Sequence, residues 1–419
     1  MSGLRAFLRA VAALALAGGT GAARAAEPLP AGFSVVGDIR LAGADGERSW
    51  TDGGFGKTRF GGDAAGDFRL RPRLAEGELV WQPRFGWAVT GTIVAAAQTG
   101  QEHPIDLIEA FVSVKPMPRG GTRISGRAGL FWPPVSLEHE GAAWTVTDMI
   151  TPSAINSWIG EEVKVAGVEA SIARALAGGQ LTATGAVFGF NDTAGTLLAF
   201  RGWALHDLKA TAFGHQQLPP LNAFMSGGVQ APVTRPALEI DDRPGFYGKL
   251  AWRAAAPVSL EALYYDNRGR PEAVNPSLQW GWRTRFLNVG ARAEIASGTR
   301  LLAQAMTGST RMGFDEGAGI WVHTRFRAAY VRLSHTTGRA AFNARLDLFG
   351  TRERGSALGR EESEEGWAAT AAASLRLSPH AQVLLEALRV DSRREARLRA
   401  GLAPRQVQNQ LQAALRLAL

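Results

Sequence analysis

Segments in which apolar and polar residues alternate recur along the whole chain. In residues 339–350, Phe342 and Leu346 fall on one face, whereas Asn343 and Arg345 fall on the other. A period of two is the period of a β-strand, whose successive side chains point to opposite faces of a sheet. The same alternation occurs in residues 33–41, 122–131, 366–377 and 407–419. The sequence therefore predicts an all-β fold.

The connections between these segments alternate between short and long. Seven short turns lie at 82–84, 116–121, 175–179, 254–257, 297–299, 336–339 and 378–380. Eight longer polar connections lie near 42–67, 98–105, 132–160, 191–244, 268–280, 309–319, 351–365 and 392–404. An even strand number, with short periplasmic turns and long extracellular loops, is typical of bacterial outer-membrane barrels. We therefore predict a transmembrane antiparallel up-and-down β-barrel of sixteen strands, with eighteen strands as the alternative.

The N-terminus has the pattern of a secretory signal peptide. Arg5 and Arg9 precede the apolar stretch 10–18, and small residues follow up to Ala26. Such a stretch is too short for an ordinary membrane-spanning helix, and the small residues are typical of a cleavage site. We expect residues 1–26 to be a cleaved signal peptide and residues 27–419 to form a single barrel domain. The predicted location is the outer membrane of a Gram-negative bacterium.

Composition and motifs argue against several other functions. The 46 basic and 38 acidic residues give a net charge of +8, which is too weak a bias to indicate nucleic-acid binding. The chain has no cysteine for disulfides or thiolate metal sites, and its seven histidines show no metal-binding spacing. It has no HExxH or GxSxG motif and no recognisable set of nucleophile and base. We expect no metal, no cofactor and no enzymatic activity.

Three arginines occupy alternate positions in the stretch DFRLRPRL, residues 67–74, and we call them the arginine file. Arg69, Arg71 and Arg73 occupy every second position, so they share one face of a strand. The predicted pore-lining basic residues are Arg40, Arg69, Arg71, Arg73, Arg123, Arg127, Arg345, Arg376 and Arg416. Arginines around a narrow aqueous lumen raise the local concentration of anions and favour their passage. The alternative is that they hydrate a wide lumen and pair with carboxylates such as Asp38 and Asp67.

Two segments resemble a known family of channels. The stretch GRAGLFWPPVSLEHEG, residues 126–141, and the stretch TPSAINSWIGEEV, residues 151–163, are similar to a strand and its following loop in the phosphate-selective porin family. In that family a glycine, an aromatic residue, a proline and a glutamate mark the end of the strand. The corresponding residues here are Gly129, Phe131, Pro134 and Glu138. The resemblance implies that loop 132–160 folds into the barrel and constricts the pore.

Loop 132–160 and its flanks carry acidic residues that would face the arginines if the loop folds inward. These candidates are Glu138, Glu140, Asp148, Glu161 and Glu162. Carboxylates opposite an arginine wall would create a transverse field across the constriction. The alternative is a solvated loop outside the barrel. The longest connection, 191–244, is expected to be an outer loop, and the alternative is that it plugs the barrel.

Together these features predict a porin for the passive diffusion of small hydrophilic solutes, with a lean toward anions such as phosphate. The alternatives are an outer-membrane barrel enzyme and a closed structural barrel. The expected partners are outer-membrane lipid, lipopolysaccharide, the barrel-assembly machinery and further copies of the chain in a homotrimer. The C-terminal alternation through Leu419 resembles the signal that this machinery recognises. The charged runs 360–366 and 391–399 are expected to be solvated loops, with contact to lipopolysaccharide as the alternative.

Overall fold

The wall of the molecule consists of sixteen antiparallel strands that close into a single barrel. The computed structural model describes residues 32–62, 65–118 and 120–419, so the predicted signal peptide, residues 1–26, lies outside the described residues. Barrel strands that follow one another along the chain are neighbours in the wall, and the first strand pairs with the last to close it. The predicted all-β barrel of sixteen strands is confirmed.

The strands and helices have the following bounds. The barrel strands are β1 (Phe33–Ala44), β2 (Arg69–Trp81), β3 (Val89–Gln98), β4 (Asp106–Val114), β5 (Thr122–Phe131), β6 (Val165–Leu176), β7 (Gly179–Gly189), β10 (Gly245–Ala254), β11 (Val258–Asp266), β12 (Arg285–Ala296), β13 (Thr299–Asp315), β14 (Ile320–Thr337), β15 (Ala340–Glu353), β16 (Glu364–Ser378), β17 (Ala381–Arg394) and β18 (Arg405–Ala418). The connection after β7 contains a two-stranded sheet of β8 (Gln216–Gln217) and β9 (Val233–Thr234). The short helices are α1 (Ala154–Glu162), α2 (Thr196–Phe200) and α3 (Ala223–Ser226), with 3-10 turns at Trp50–Asp52, Ala142–Trp144, Arg360–Glu362 and Glu395–Ala400. Among the described helices, none has the length and apolar character needed to cross a membrane.

The connections alternate in length, as the sequence predicts. Short turns lie at one end of the barrel, here called the turn rim, and the longer loops lie at the other end, here called the loop rim. One boundary prediction was wrong: the connection predicted at 309–319 contains only residues 316–319 between β13 and β14. The alternation continues past residue 309, because Thr310 and Met312 stay buried on the inner face while the ladder to β14 persists. The two strands therefore form a long hairpin at the loop rim.

Apolar and polar residues alternate along each strand because the two faces of the strand contact different surroundings. Cross-strand partners share a face, and Val331 of β14 pairs with Leu346 of β15 on the outer face. Val331 is 52% exposed, Leu346 is 51% exposed, and Leu348 on the same face is 56% exposed. Contiguous apolar side chains with this exposure need an apolar solvent, which for a closed transmembrane barrel is lipid.

A bulge in β2 keeps the charged residues of this strand on the lumen face. Asp38 of β1 pairs with Glu76, but the next pair in the ladder involves Leu74, so Ala75 is the extra residue. On its other side β2 pairs with β3 only from Glu76 to the turn rim, so residues 69–74 extend past the end of β3. The arginine file therefore stands near the loop rim, on the part of β2 that has one strand partner.

The largest apolar cluster lies inside the barrel. Trp158 of α1 is completely buried, and its ring centroid lies 5.5 Å from that of Phe286 on β12. The same indole lies 5.2 Å, between centroids, from the ring of Phe326 on β14. Aromatic contacts of this kind bury large apolar areas, so they fix the position of α1 against the wall. Chain segments from the loop rim thus fill the lumen at this level.

The substitution Leu346→Arg tests which face of β15 meets lipid. An arginine here would face the lipid side of the barrel, which costs about 2–4 kcal/mol near the bilayer midplane. We expect impaired folding, measured as loss of the heat-modifiable band on gels. The matched control is Thr182→Arg on β7, where the side chain lines a cavity of about 250 Å³ on the lumen side. The control should fold normally, and equal behaviour of the two variants would contradict the assignment of faces.

Candidate functional site

The segment between β5 and β6, residues 132–164, crosses the lumen to the opposite wall. Glu138 pairs with Arg345 of β15, with Oε1 lying 3.2 Å from Nη1. The backbone N–H of Ile150 donates a hydrogen bond of 2.9 Å to Glu386 of β17. We call residues 132–164 the first inserted segment.

Helix α1 is held in the lumen by its cap and by a buried carboxylate. The Ser153 hydroxyl accepts a hydrogen bond from the N–H of Asn156, which caps the helix. Glu138 accepts 2.8 Å and 2.6 Å bonds from the Ser153 N–H and from Asn156 Nδ2. Burial alone would raise the pKa of Glu138, but the charges of Arg345 and Arg332 and these hydrogen bonds hold that pKa below its ordinary value. Glu138 is therefore ionised and fixed.

A second inserted segment, residues 190–212, comes from the long connection after β7 and also lies inside the barrel. Its residues are almost all buried. Lys209 donates a 2.9 Å bond to Glu76 of β2 and also pairs with Glu78 of the same strand. Asp207 lies between Arg40 of β1 and a buried arginine of the first loop. The second inserted segment is thus anchored to the β1–β2 wall by charges.

The two inserted segments are joined to each other by a buried charge cluster. Glu161 of α1 pairs with Arg201, whose Nη1 lies 2.9 Å from Oε2. His206 Nε2 lies 2.5 Å from the same carboxylate oxygen. Burial opposes ionisation, yet the Arg201 charge lowers the pKa of Glu161 to about 2. The position of each inserted segment in the lumen therefore depends on the other segment.

Glu162, the next residue, has the opposite electrostatic environment. Its carboxylate accepts a 2.6 Å bond from Trp158 Nε1 and a 2.9 Å bond from the N–H of Leu197. It forms no ion pair within the described residues. Burial is the largest effect, and together with the neighbouring charge of Glu161 it raises the pKa of Glu162 to about 7.

Four of the nine predicted arginines face the lumen but have carboxylate partners. Arg40 pairs with Asp38 and Asp207, and Arg127 pairs with Glu169. Arg345 pairs with Glu138 and Asp347, and Arg416 pairs with Asp38. Arg40 and Arg345 are also buried. Their positive charges are therefore largely compensated by the wall and by the inserted segments.

The arginine file lines a small cavity at the loop rim. Arg69, Arg71 and Arg73 border a space of about 190 Å³ together with Arg59 and Phe60 of the first loop. The guanidinium of Arg73 lies 5.6 Å from the ring centroid of Phe60. Within the described residues Arg71 makes no hydrogen bond or ion pair, and its side chain is exposed. Arg71 and Arg73 are thus open to an anion.

The remaining two predicted arginines lie nearer the turn rim. Arg123 on β5 follows the alternation of Arg127, whose side chain faces the lumen, and Arg376 pairs across the ladder with Gln382. Both are exposed. Neither takes part in an ion pair within the described ranges. They line the turn-side half of the barrel.

Three of the five predicted acidic residues face arginines of the wall. Glu138 pairs with Arg345, Glu140 with Arg292 and Arg300, and Asp148 with Arg332. Glu161 and Glu162 instead face the second inserted segment. These three wall arginines, Arg292, Arg300 and Arg332, were not among the predicted site residues, although each lies on the polar face of an alternating strand. Following the alternation through β12–β14 would have found them.

The two charged runs near the C-terminus are not solvated loops, so that expectation was wrong. Glu362 and Arg394 are buried and pair with each other. Arg397 is buried as well and pairs with Glu47 of the first loop. These ion pairs, one between the two runs and one with the first loop, hold three loops together at the loop rim.

One group of carboxylates has the spacing of a cation site. Oxygens of Asp192, Glu239 and Asp241 lie within 4.8 Å of one another at the loop rim. Asp192 already accepts a 2.6 Å bond from the N–H of Ile240. Burial, and secondarily the neighbouring carboxylates, raise the pKa of Asp192 to about 7. The contact of Asp192 thus stabilises a loop turn, and no metal ion is needed to explain it.

Comparison with solved structures defines the class of the fold, which is that of the outer-membrane porins. The anion-selective porin from Comamonas acidovorans matches with a TM-score of 0.53 and 10% identity, over 92% of this chain and 98% of that chain. The outer-membrane channel DcaP of Acinetobacter baumannii matches with a TM-score of 0.52 and 11% identity, over 93% and 99%. A loop L8 deletion mutant of OmpT, an outer membrane protein of Vibrio cholerae, matches with a TM-score of 0.50 and 8% identity, over 92% and 99%.

These identities are low, so the likeness establishes the fold and leaves the transported solute open. No protein-family model and no curated protein matches the chain. The resemblance to the phosphate-selective porins therefore stays a prediction.

The raised pKa of Glu162 makes the docking of α1 dependent on pH. The folded state holds the proton up to about pH 7, whereas the unfolded chain releases it near pH 4.5. Seating of the inserted segments is therefore most favourable below the unfolded pKa, and its stability falls as pH rises from there to about 7. We expect protease cleavage within residues 190–212 to be faster at pH 8 than at pH 5.5. Glu162→Gln should reduce this difference, and the part that remains is assigned to Asp192, whose pKa burial also raises to about 7. An unchanged pH dependence in that variant would contradict the role of Glu162.

Proposed function

We propose that this chain is an outer-membrane porin for the passive diffusion of small hydrophilic solutes, and that anions such as phosphate are favoured. The observation that carries the proposal is a closed sixteen-strand barrel with an apolar outer face and a polar lumen crossed by residues 132–164. The inserted segments act as the constriction. The loop rim faces the exterior, as in the predicted topology.

The proposed passage runs between unfilled parts of the lumen. One cavity of about 250 Å³ lies against the first inserted segment and is bordered by Arg253, Glu261 and Arg292. Another, of about 190 Å³, borders the arginine file near the loop rim. Arg71 and Arg73 are the charges that a passing anion would meet there, since neither takes part in an ion pair within the described residues. This is the basis for the proposed anion preference.

Export by the predicted signal peptide, recognition by the barrel-assembly machinery and assembly as a homotrimer belong to the same proposal. The apolar outer face supports insertion into a membrane. The DcaP channel and the Comamonas porin share the fold with this chain, and the Comamonas porin is anion-selective.

A second candidate function is a closed barrel, and the burial of the second inserted segment favours it. Residues 190–212 are anchored by Lys209, Asp207 and Arg201, each with a buried or half-buried partner of opposite charge. A barrel filled in this way conducts only if a continuous path remains beside the segment or if the segment moves. Single-channel conductance in a planar bilayer separates the two candidates.

The substitution Lys209→Met tests whether the second inserted segment controls the passage. Removing one partner of a buried ion pair costs about 3–5 kcal/mol, here because Glu76 and Glu78 are left facing each other. We expect a higher single-channel conductance than that of the unmodified protein. The control is Lys115→Met in a turn, which should leave conductance unchanged. If the unmodified barrel is closed and Lys209→Met opens it, the closed-barrel candidate is correct; if neither conducts, the porin proposal fails.

The substitution Arg71→Glu tests the anion preference. The fields of neighbouring arginines overlap, because same-face residues lie roughly 6.6 Å apart and screening at physiological salt extends over about 8 Å. We expect the reversal potential to shift toward cation selectivity in low salt, and to shift much less in molar salt, where screening shortens to about 3 Å. The control is Arg339→Glu, an exposed position in the turn between β14 and β15 at the turn rim. A normal barrel with an unchanged low-salt potential would refute the role of the file.

A further inference from the structure

Arginines also form a cluster on the outer face of the barrel, on the side of the wall that faces away from the proposed passage. Along one row of the wall, Arg285 of β12 pairs with Ser309, Ser309 pairs with Arg325 of β14, and Arg325 pairs with Arg352 of β15. Because cross-strand partners share a face, these side chains lie side by side. All three arginines are exposed.

Further cationic side chains border this row. Arg311 and Arg327 lie on the same outer face of the β13–β14 hairpin. We call residues 285, 311, 325, 327, 352 and 354 the outer arginine patch. None of their side chains forms a hydrogen bond or ion pair within the described part of the chain. Like charges in such numbers destabilise one another unless an anion lies between them.

The patch borders a groove in the outer wall with a volume of about 510 Å³. Arg325, Arg327, Arg352 and Arg354 contribute to its lining, and the hydroxyl-bearing Thr307 lies beside them. Acidic residues are fewer there: Glu364 is paired with Lys57, Glu395 is paired with Arg393, and Glu365 lies across the ladder from Gly350. Arginine binds phosphate oxygens through two parallel N–H groups, which suits several guanidinium groups around one groove.

The height of the patch on the barrel identifies the surroundings of the groove. On β14 the outward residues Val331 and Leu333 lie toward the turn rim, and the outward arginines follow toward the loop rim. On β15 the order is the same, with Leu346 and Leu348 followed by Arg352. The patch therefore begins where the apolar band ends. At that level a membrane presents its headgroups.

We propose that the outer arginine patch is a binding site for the phosphate groups of a phosphorylated glycolipid in the outer leaflet, of the lipid A type. The apolar band holds the acyl chains of this lipid, and the arginines hold its phosphates. The proposal rests on the membrane placement given under the proposed function. It does not depend on whether the lumen conducts.

The test measures lipid binding by the full-length, detergent-folded barrel with native mass spectrometry. The probe is bisphosphorylated lipid A, compared with the same lipid after removal of both phosphates and with inorganic phosphate as competitor. We expect the bisphosphorylated lipid to be retained and the dephosphorylated lipid to be lost. Inorganic phosphate at millimolar concentration should not displace the lipid. Equal retention of both lipids, or displacement by inorganic phosphate alone, would overturn the proposal.

The double variant Arg325→Gln/Arg352→Gln locates the site. Two arginines at a membrane surface contribute about five-fold each, so we expect roughly 25-fold weaker retention of lipid A. The matched control is Arg174→Gln/Arg339→Gln, which removes two exposed charges at the turn rim and should retain the lipid as the unmodified barrel does.

Other results would count against the lipid site. Unchanged retention by the patch variant, or equal loss by both variants, overturns it. The lipid site is also overturned if the patch variant changes the number of copies per assembly but binds lipid as before. The patch would then be an interface between copies of the chain. Should the double variant fail to fold, the single variant Arg327→Gln and the two-lipid comparison on the unmodified barrel decide the matter. An unmodified barrel that binds lipid A but does not conduct would refute the porin proposal alone.

Discussion

Buried ion pairs hold the interior of this barrel together. Glu138 joins the first inserted segment to Arg345 of the wall, Lys209 joins the second segment to Glu76, and Glu161 joins the two segments to each other. An unpaired charge in such an interior costs several kcal/mol, so each pair is strong only as long as both partners remain. The apolar packing around α1 gives these charges their low-dielectric surroundings. The width of the lumen is therefore set by electrostatics inside a frame of β-strands.

The same residue type has three different roles here, depending on what surrounds it. Arg345 is buried and compensated, so it acts as a structural anchor. Arg71 faces open space in the lumen and keeps an uncompensated field. Arg325 lies on the outer face just beyond the apolar band, where we propose that it contacts lipid headgroups. The alternation along a strand determines whether an arginine faces the lumen or the outside of the barrel. The height of the arginine along the barrel determines whether it anchors a segment, attracts an anion or contacts a headgroup.

The fold was predictable because a period of two and the alternation of turns and loops are both local signals. The same reasoning correctly put Leu346 on the outer face and Arg73 on the face of Arg40. The charge balance of the lumen was not predictable. Asp207 lies in a long loop whose path no periodicity encodes, so the compensation of Arg40 could not be seen. For the same reason the sequence could not show that Glu161 and Glu162 would turn toward a second segment.

One wall of the barrel anchors the second inserted segment and, under the proposed function, also attracts the solute. Asp207 pairs with Arg40 and with Arg59, and Arg59 also borders the cavity of Arg71. An anion that enters this cavity under the proposed function therefore lies close to a guanidinium that already holds the second inserted segment. Because Arg59 is shared, stronger attraction of the solute weakens the hold on Asp207. The charges that select a solute and the charges that narrow its passage are thus coupled through a single side chain.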